Sequence, residues 1–209
     1  MDFPILSSLI LLPLVGSLFI LFVKSDSSNN YQSSKYVALF TSFVNFLISI
    51  YLWYSFDNSI SEFQFIEDKQ WLRGFVNYKV GIDGISILFI LLTTLITPLS
   101  IISINNSISS RIKEFLIAML VMESLMIGVF CSLDLVIFYL FFEGGLIPMF
   151  IIIGVWGGTR RVYSAFKFFL FTLLGSVLML IAIISIFWIT GTTDVSQLLN
   201  IKIPYEYQY

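Results

Sequence analysis

Apolar residues in this chain neither recur every third or fourth position nor alternate; they run on without interruption. Six stretches, at about 3–23, 36–56, 85–104, 115–133, 135–155 and 164–189, are apolar on every side. A membrane-spanning helix needs roughly 20 such residues at about 1.5 Å of rise each. The pattern therefore predicts an all-α integral membrane protein of about six transmembrane helices, forming a single membrane domain over residues 1–209. The sixth stretch is longer than a span requires, which implies tilt or emergence into water. Between the second and third lies an outer loop, 57–84, and beyond the sixth a polar tail, 190–209, with no seventh span.

Local signals sharpen the boundaries. Asp83 and Asp134 precede the third and fifth helices, where a carboxylate can accept from otherwise unpaired N–H groups. Pro13, Pro98 and Pro148 fall inside the first, third and fifth helices, and each removes a backbone donor and bends its helix. Tyr51, Trp53, Tyr54, Trp156 and Trp188 sit near helix ends, at the level of the lipid–water boundary. In the outer loop, the alternation of Phe63 with Phe65 and the apolar Trp71-Leu72 predict a short hairpin lying on the membrane face.

Composition agrees with the pattern. The chain is 58% hydrophobic and only 11% charged, whereas soluble domains are about a quarter charged. Its solvent is largely lipid. A net charge of −2 with no basic stripe gives no sign of a nucleic-acid partner. There is no histidine, and the lone Cys131 excludes a disulfide framework within the chain and a cysteine metal site. Neither a metal nor a cofactor is expected here. The N-terminus lacks a basic signal region and an Arg/Ser-rich presequence, the mark of a protein inserted where it is made. Richness in Phe, Ile, Ser and Asn fits an AT-rich, organellar genome.

Connecting segments set the expected orientation. With the N-terminus outside, the inner side receives Lys24, Lys35, Arg111, Lys113, Arg160, Arg161 and Lys167. The outer side then holds Lys69, Arg73, Lys79 and Lys202 and most of the acids, so the positive-inside rule favours both termini out.

Two acids lie deep in apolar sequence, Glu123 in the fourth helix and Glu143 in the fifth. An ionised side chain at the bilayer centre costs at least roughly 2.5–3.5 kcal/mol, so such a group is protonated, paired or facing water. Leu133, at the turn between these helices, stands ten residues from each, which places both carboxyls about 15 Å deep, near the midplane. Around Glu143, Gly144 and Gly145 permit close approach of a neighbour, and Pro148 cannot donate to the carbonyl of Gly144. Carboxyl, bend and freed carbonyl together suit a hydrated proton site. The competing reading is a protonated glutamate that merely joins two helices. Lys167, one turn inside the sixth helix, can snorkel to the inner end of a proton path. Glu114 suits a helix start, Arg160 and Arg161 suit headgroups and topology, and Cys131 is expected to be inert. Nothing resembles a nucleophile–base pair or a phosphate loop; Gly154, Gly157 and Gly158 follow a helix, not a strand.

The run from Asp134 through Phe141-Phe142-Glu143-Gly144-Gly145-Leu146-Ile147-Pro148-Met149 resembles the fifth-helix signature of chain 4 of proton-translocating NADH–ubiquinone oxidoreductase, respiratory complex I. Gly154-Val155-Trp156-Gly157-Gly158, the stretch from Arg160 to Phe169, Thr172-Leu173-Leu174-Gly175-Ser176 and Gly81-Ile82-Asp83-Gly84-Ile85-Ser86 resemble the same family. The resemblance covers most of residues 80–190, while the first two helices match mainly in hydropathy.

It implies the N-terminal part of an antiporter-like helix bundle in the membrane arm. Such subunits translocate protons while FMN and iron–sulfur clusters elsewhere in the complex pass electrons from NADH to ubiquinone, so the chain is expected to serve an enzyme without redox chemistry of its own. The family's fifth-helix glutamate, matching Glu143, pairs with a lysine on the seventh helix; Glu123 matches a less uniform position. Family members have about fourteen spans, and their later lysines have no counterpart here, since Lys202 lies in the polar tail. Read as a whole chain, the sequence implies a split subunit. A second polypeptide would then carry the remaining helices and the lysine partner of Glu143, alongside other membrane-arm subunits and lipids. The expected location is the mitochondrial inner membrane, or alternatively a bacterial plasma membrane, with the N-terminus on the intermembrane-space or periplasmic side. Two other readings stay open: a subunit of a multisubunit sodium/proton antiporter, and a scaffold remnant.

Overall fold

The computed structural model describes residues 4–23, 31–72, 76–104 and 111–201. Six long helices cross it: α1 (Ile5–Phe22), α2 (Tyr31–Tyr54), α3 (Ser86–Ser103), α4 (Ile112–Cys131), α5 (Leu135–Trp156) and α6 (Arg161–Thr190). All six are long and apolar enough to span a bilayer. α2 starts at Tyr31, five residues before its apolar run, because Gln32, Ser33, Ser34 and Lys35 continue the helix as a polar first turn. At 30 residues, α6 would be ~45 Å long, half as long again as a hydrocarbon core of about 30 Å. Between α2 and α3 a hairpin forms, β1 (Gln64–Leu72) antiparallel to β2 (Val76–Ile82), with register shifts between Gln64 and Glu67 and between Gln70 and Leu72. A short helix, α7 (Val195–Leu198), follows α6.

Helices α1, α2, α3 and α4 pack as one group; α5 leans on α4, and α6 packs on α5. Half of the apolar window of α4 is buried inside the protein against 11% of that of α6. Exposed leucine, isoleucine and phenylalanine side chains cover α6 from Val162 to Ile189. In water this would be untenable; against lipid or further helices it is the expected finish.

The four-helix group has two apolar cores with a polar layer between them. Near the hairpin, Leu6, Leu9, Ile10, Leu52, Val80, Ile82, Ile87, Ile90, Ile127 and Cys131 form one cluster. At the far end Ile20, Ala38, Ile101, Ile104, Leu116 and Leu120 form the other. Between them lie the buried Asn45, Ser49, Thr94, Glu123 and Ser124. The helices approach closely where glycine permits: a Cβ on Gly16 would meet Thr41, and one on Gly128 would lie 2.5 Å from the Phe141 ring.

The hairpin fastens the helix ends around it. Glu67 accepts from Leu6 N at 2.9 Å, from Ser7 N at 3.3 Å and from Ser7 Oγ, capping α1 from β1. The turn between α4 and α5 is hydrogen-bonded on both sides, Leu133 N donating to Lys79 O at 3.0 Å and Val195 N to Leu133 O at 2.9 Å. Lys79 Nζ meets Asp194 Oδ2 at 2.7 Å, tying β2 to the start of α7. Asp134 caps α5, accepting from Val136 N and Ile137 N. Asp83 accepts from Ser86 N at 2.7 Å, and Ser86 Oγ accepts from Asp83 N at 2.8 Å, a reciprocal cap ahead of α3.

Candidate functional site

The residues singled out from sequence separate into different compartments. Glu123 is 2% exposed and points into the four-helix group, where its Oε1 accepts from Asn45 Nδ2 on α2 at 2.9 Å. Nearby, Ser49 Oγ and Thr94 Oγ1 share a hydrogen bond of 2.7 Å, joining α2 to α3. Ser124 Oγ donates to Ile10 O at 2.5 Å, joining α4 to α1.

Glu143 lies on α5, half-buried and outside that group. Contacts of the glycines fix its level: Gly128 lies against Phe141 and Gly144 against Leu125. In that register Glu143 stands opposite about residue 126, some three residues or ~4.5 Å nearer the hairpin than Glu123. The two carboxyls are thus at similar depth but belong to different faces. Glu143 Oε2 is buried with no hydrogen-bond partner among the described residues. Pro148 lies within α5, so the Gly144 carbonyl, one residue from the acid, has no donor four residues on. Side chains beside it on α5, Leu140 and Ile147, are 47% and 60% exposed. The face bearing Glu143 therefore borders surface that the described residues do not cover.

Lys167 does not reach it. The Cβ position of Gly154 lies 3.5 Å from Ala165, which sets Lys167 level with about residue 152, roughly nine residues or ~14 Å from Glu143. Its Nζ sits 6.0 Å from the centroid of the Tyr163 ring, on an exposed face of α6. Among the described residues the salt bridges are Lys79–Asp194 and the exposed Arg111–Glu114, the latter 3.9 Å long in the first turn of α4. Arg161 Nη1 donates to Val155 O near the end of α5 at 2.5 Å, and Arg160 precedes α6. Cys131 is buried in the apolar core. No group of three or more potential metal-ligating side chains occurs among the described residues. Lys202 lies outside the described residues.

Alongside α3, α4 and α5 runs an apolar cavity of about 750 Å³, lined among others by Phe89, Met126, Phe130, Phe142 and Met149. It opens beside the Glu143 helix without including Glu143 among its lining residues.

Residues 132–208 match the family described as NADH:quinone oxidoreductase/Mrp antiporter, transmembrane. The NADH-quinone oxidoreductase subunit M of Rhodobacter capsulatus is 50% identical over 202 residues, 96% of this chain. Along nearly its whole length the chain is similar to subunit M and chain 4 proteins. NADH-ubiquinone oxidoreductase chain 4 of Marchantia polymorpha is likewise 50% identical, over 93% of the chain. The chain spans 39% of the length of each of these relatives. Among solved structures, respiratory complex I of Thermus thermophilus with bound NADH matches 96% of the chain and 40% of its own, with TM-score 0.81 and 28% identity. An Mrp complex from a Dietzia species shares the fold at TM-score 0.72 and 15% identity, over 92% of this chain and 20% of its own. These likenesses establish a multi-pass membrane protein with the antiporter-like helix arrangement of the subunit M/chain 4 family.

Two participants had no clear sequence signal as a site. Asn45 is the sole amide within the apolar part of α2, and an unexplained amide in a span is the cue that would have found it. Glu67 caps a helix sixty residues away, and no local pattern announces that.

Proposed function

We propose that this chain forms a six-helix portion of the proton-translocating chain 4 subunit of NADH:ubiquinone oxidoreductase, with Glu143 as the group that takes up and releases protons. The observation that carries the reading is the buried, unpartnered Oε2 of Glu143 on a helix face bordered by exposed apolar side chains. A carboxyl in hydrocarbon needs a proton, a cation or water. The lysine that the family resemblance assigns to this glutamate comes from helices outside the described residues. As that cation approaches, the carboxylate form is favoured and a proton leaves; as it withdraws, the proton returns. The freed Gly144 carbonyl gives a water beside the carboxyl an acceptor to hold it. Lys167, ~14 Å away along α5 and α6, serves the inner end of the route rather than the pair.

The other elements of the reading follow from it. The chain lies in the mitochondrial inner membrane, or in a bacterial plasma membrane for a bacterial source, among other membrane-arm subunits and lipids. Its N-terminus faces the intermembrane-space or periplasmic side, by the excess of basic residues on the opposite side. FMN and iron–sulfur clusters act elsewhere in the complex. Half-identity to subunit M and chain 4 relatives, against 15% to the Mrp structure, favours this reading over a sodium/proton antiporter. Copurification with flavin and iron–sulfur proteins separates the two.

The test is Glu143→Gln in the assembled complex. Proton translocation should fall at least tenfold while the chain still assembles and its neighbours stay in place. Unchanged pumping would leave the chain a scaffold.

A further inference from the structure

Hydrogen bonding in the middle layer of the four-helix group leaves two acceptors without a donor. Asn45 Nδ2 donates to Glu123 Oε1, while Glu123 Oε2 and Asn45 Oδ1 are buried with no partner among the described residues. Both orphans belong to the same two side chains. Each would carry the full desolvation penalty of an unmade hydrogen bond. One proton removes both faults. Placed on Glu123 Oε2, it is donated to Asn45 Oδ1 while the Asn45 amide donates to Oε1, closing a ring of two hydrogen bonds. The terminal torsions of Glu and Asn are broad wells, so the turn that brings these atoms together is a soft one.

We infer that Glu123 is a hydrogen-bond donor that stays neutral at neutral pH, paired face to face with Asn45 to fasten α2 to α4, and not a carrier of translocated protons. The charges around it agree. Helices α1 and α3, both packed against α4, contain no charged residue. α2 contributes Lys35, ten residues or ~15 Å from Asn45, whose Nζ is within 3.4 Å of Ile102 O at the far end. The lysine of α4 itself, Lys113, is equally distant and donates to Leu21 O and Val23 O. Lys79 of β2 is held by Asp194, and α5 contributes no cation, its ionisable side chains being Tyr139 and another acid, Glu143. Glu123 is 2% exposed within this chain alone, so helices added around it have no path to supply a cation. Neighbouring hydroxyls are spent as well, Ser49 on Thr94 and Ser124 on Ile10. The contrast with Glu143, half-buried and bordering open surface, is one of enclosure.

The experiment uses the assembled complex in membranes, with Glu143→Gln as the non-pumping control. Glu123→Gln replaces acid–amide by amide–amide pairing and should assemble and pump within twofold of wild type. The exchanged pair Asn45→Asp with Glu123→Gln moves the proton to α2 and should also assemble and pump. Asn45→Leu, which leaves the acid without its partner, should lower the amount of assembled complex severalfold. Infrared spectra of wild type at neutral pH should contain a protonated-carboxyl band that Glu123→Gln lacks. Loss of pumping in an assembled Glu123→Gln complex would overturn the inference, as would absence of that band. So would failure of both ring-preserving variants to assemble. A pumping-competent Glu143→Gln control would count against the proposed function instead, and the assembly and infrared results would still decide the role of Glu123.

Discussion

The Glu67 carboxylate and the backbone N–H of Leu6 are 2.9 Å apart, although 61 residues of chain separate them. α1 carries no side-chain cap of its own, since Pro4 occupies the cap position. The hairpin therefore supplies a cap across space, placing negative charge where the first turn of α1 presents unpaired donors. Glu67→Ala should cost about 1–2 kcal/mol, the range for loss of a helix cap. Hydrogen exchange at Leu6 and Ser7 in the detergent-solubilised complex is the measurement. Unaltered protection at both amides would mean that the cap contributes nothing.

A second fastening depends on pH. Burial pushes the Asp194 carboxyl up, but the hydrogen bond from Lys79, the Ser196 N–H and the Lys79 charge together hold it below the ordinary carboxylate range. The Lys79–Asp194 pair is 13% and 17% exposed, so water screens it only in part. A carboxyl whose folded pKa is depressed stabilises the fold above its unfolded pKa, near 3.9, and that stabilisation fades as pH falls through the lower folded value. The tie between β2 and α7 should persist at neutral and mildly acidic pH and loosen only in stronger acid. Lys79→Met should loosen it already at pH 7. Proteolytic sensitivity across residues 191–201 reads both effects, and a Lys79→Met complex as resistant as wild type would contradict the assignment.

Close packing between α4 and α5 gives a third expectation. A Cβ on Gly128 would lie 2.5–2.7 Å from three atoms of the Phe141 ring, closer than such contacts allow. Gly128→Ala should destabilise by about 1–3 kcal/mol, as overpacking does. Adding Phe141→Leu should recover most of that loss. The temperature at which the complex releases this chain is a direct readout; equal values for the single and double variants would show that α4 and α5 yield at no cost.

How far the sequence revealed this molecule depended on the range of the forces involved. Six spans were legible because lipid imposes a length and an apolar composition on each helix independently. Asp83 and Asp134 were legible because a cap acts within three residues of itself. The hairpin was legible from the alternation around Phe63 and Phe65, yet its purpose was not, since Glu67 and Lys79 act on partners 61 and 115 residues away. Glu123 and Glu143 both stood out as acids in apolar sequence, Glu143 the more strongly for the glycines and proline that follow it. Packing gave them different surroundings, turning one toward Asn45 and leaving the other at an open face. Counting residues from Leu133 put them at one depth; the approach of Phe141 to Gly128 shifts that register by about three residues.

Charge at the opposite ends of the helices follows one rule, and the last prediction tests it. Acids meet the N-termini of α1, α3, α5 and α7 at the hairpin end, in Glu67, Asp83, Asp134 and Asp194. Bases meet C-terminal carbonyls at the far end, Lys113 reaching Leu21 O at 3.0 Å and Val23 O at 2.8 Å beyond α1. Lys35 stands 3.4 Å from Ile102 O at the end of α3, and Arg161 donates to Val155 O on α5. Each arrangement complements the helix dipole and fills orphaned backbone sites. Lys35 and Lys113, which the positive-inside rule assigns to the inner side, thus also cap helices neighbouring their own. Lys113→Arg should be tolerated, because a guanidinium still donates to both carbonyls. Lys113→Met should cost about 0.5–1 kcal/mol through lost capping. Lys113→Glu should cost more, setting negative charge against unpaired carbonyls and removing a positive residue from its side. Membrane insertion assays and the yield of assembled complex would rank the three, and a Lys113→Glu chain that inserts and assembles as well as Lys113→Arg would break the link between capping and orientation.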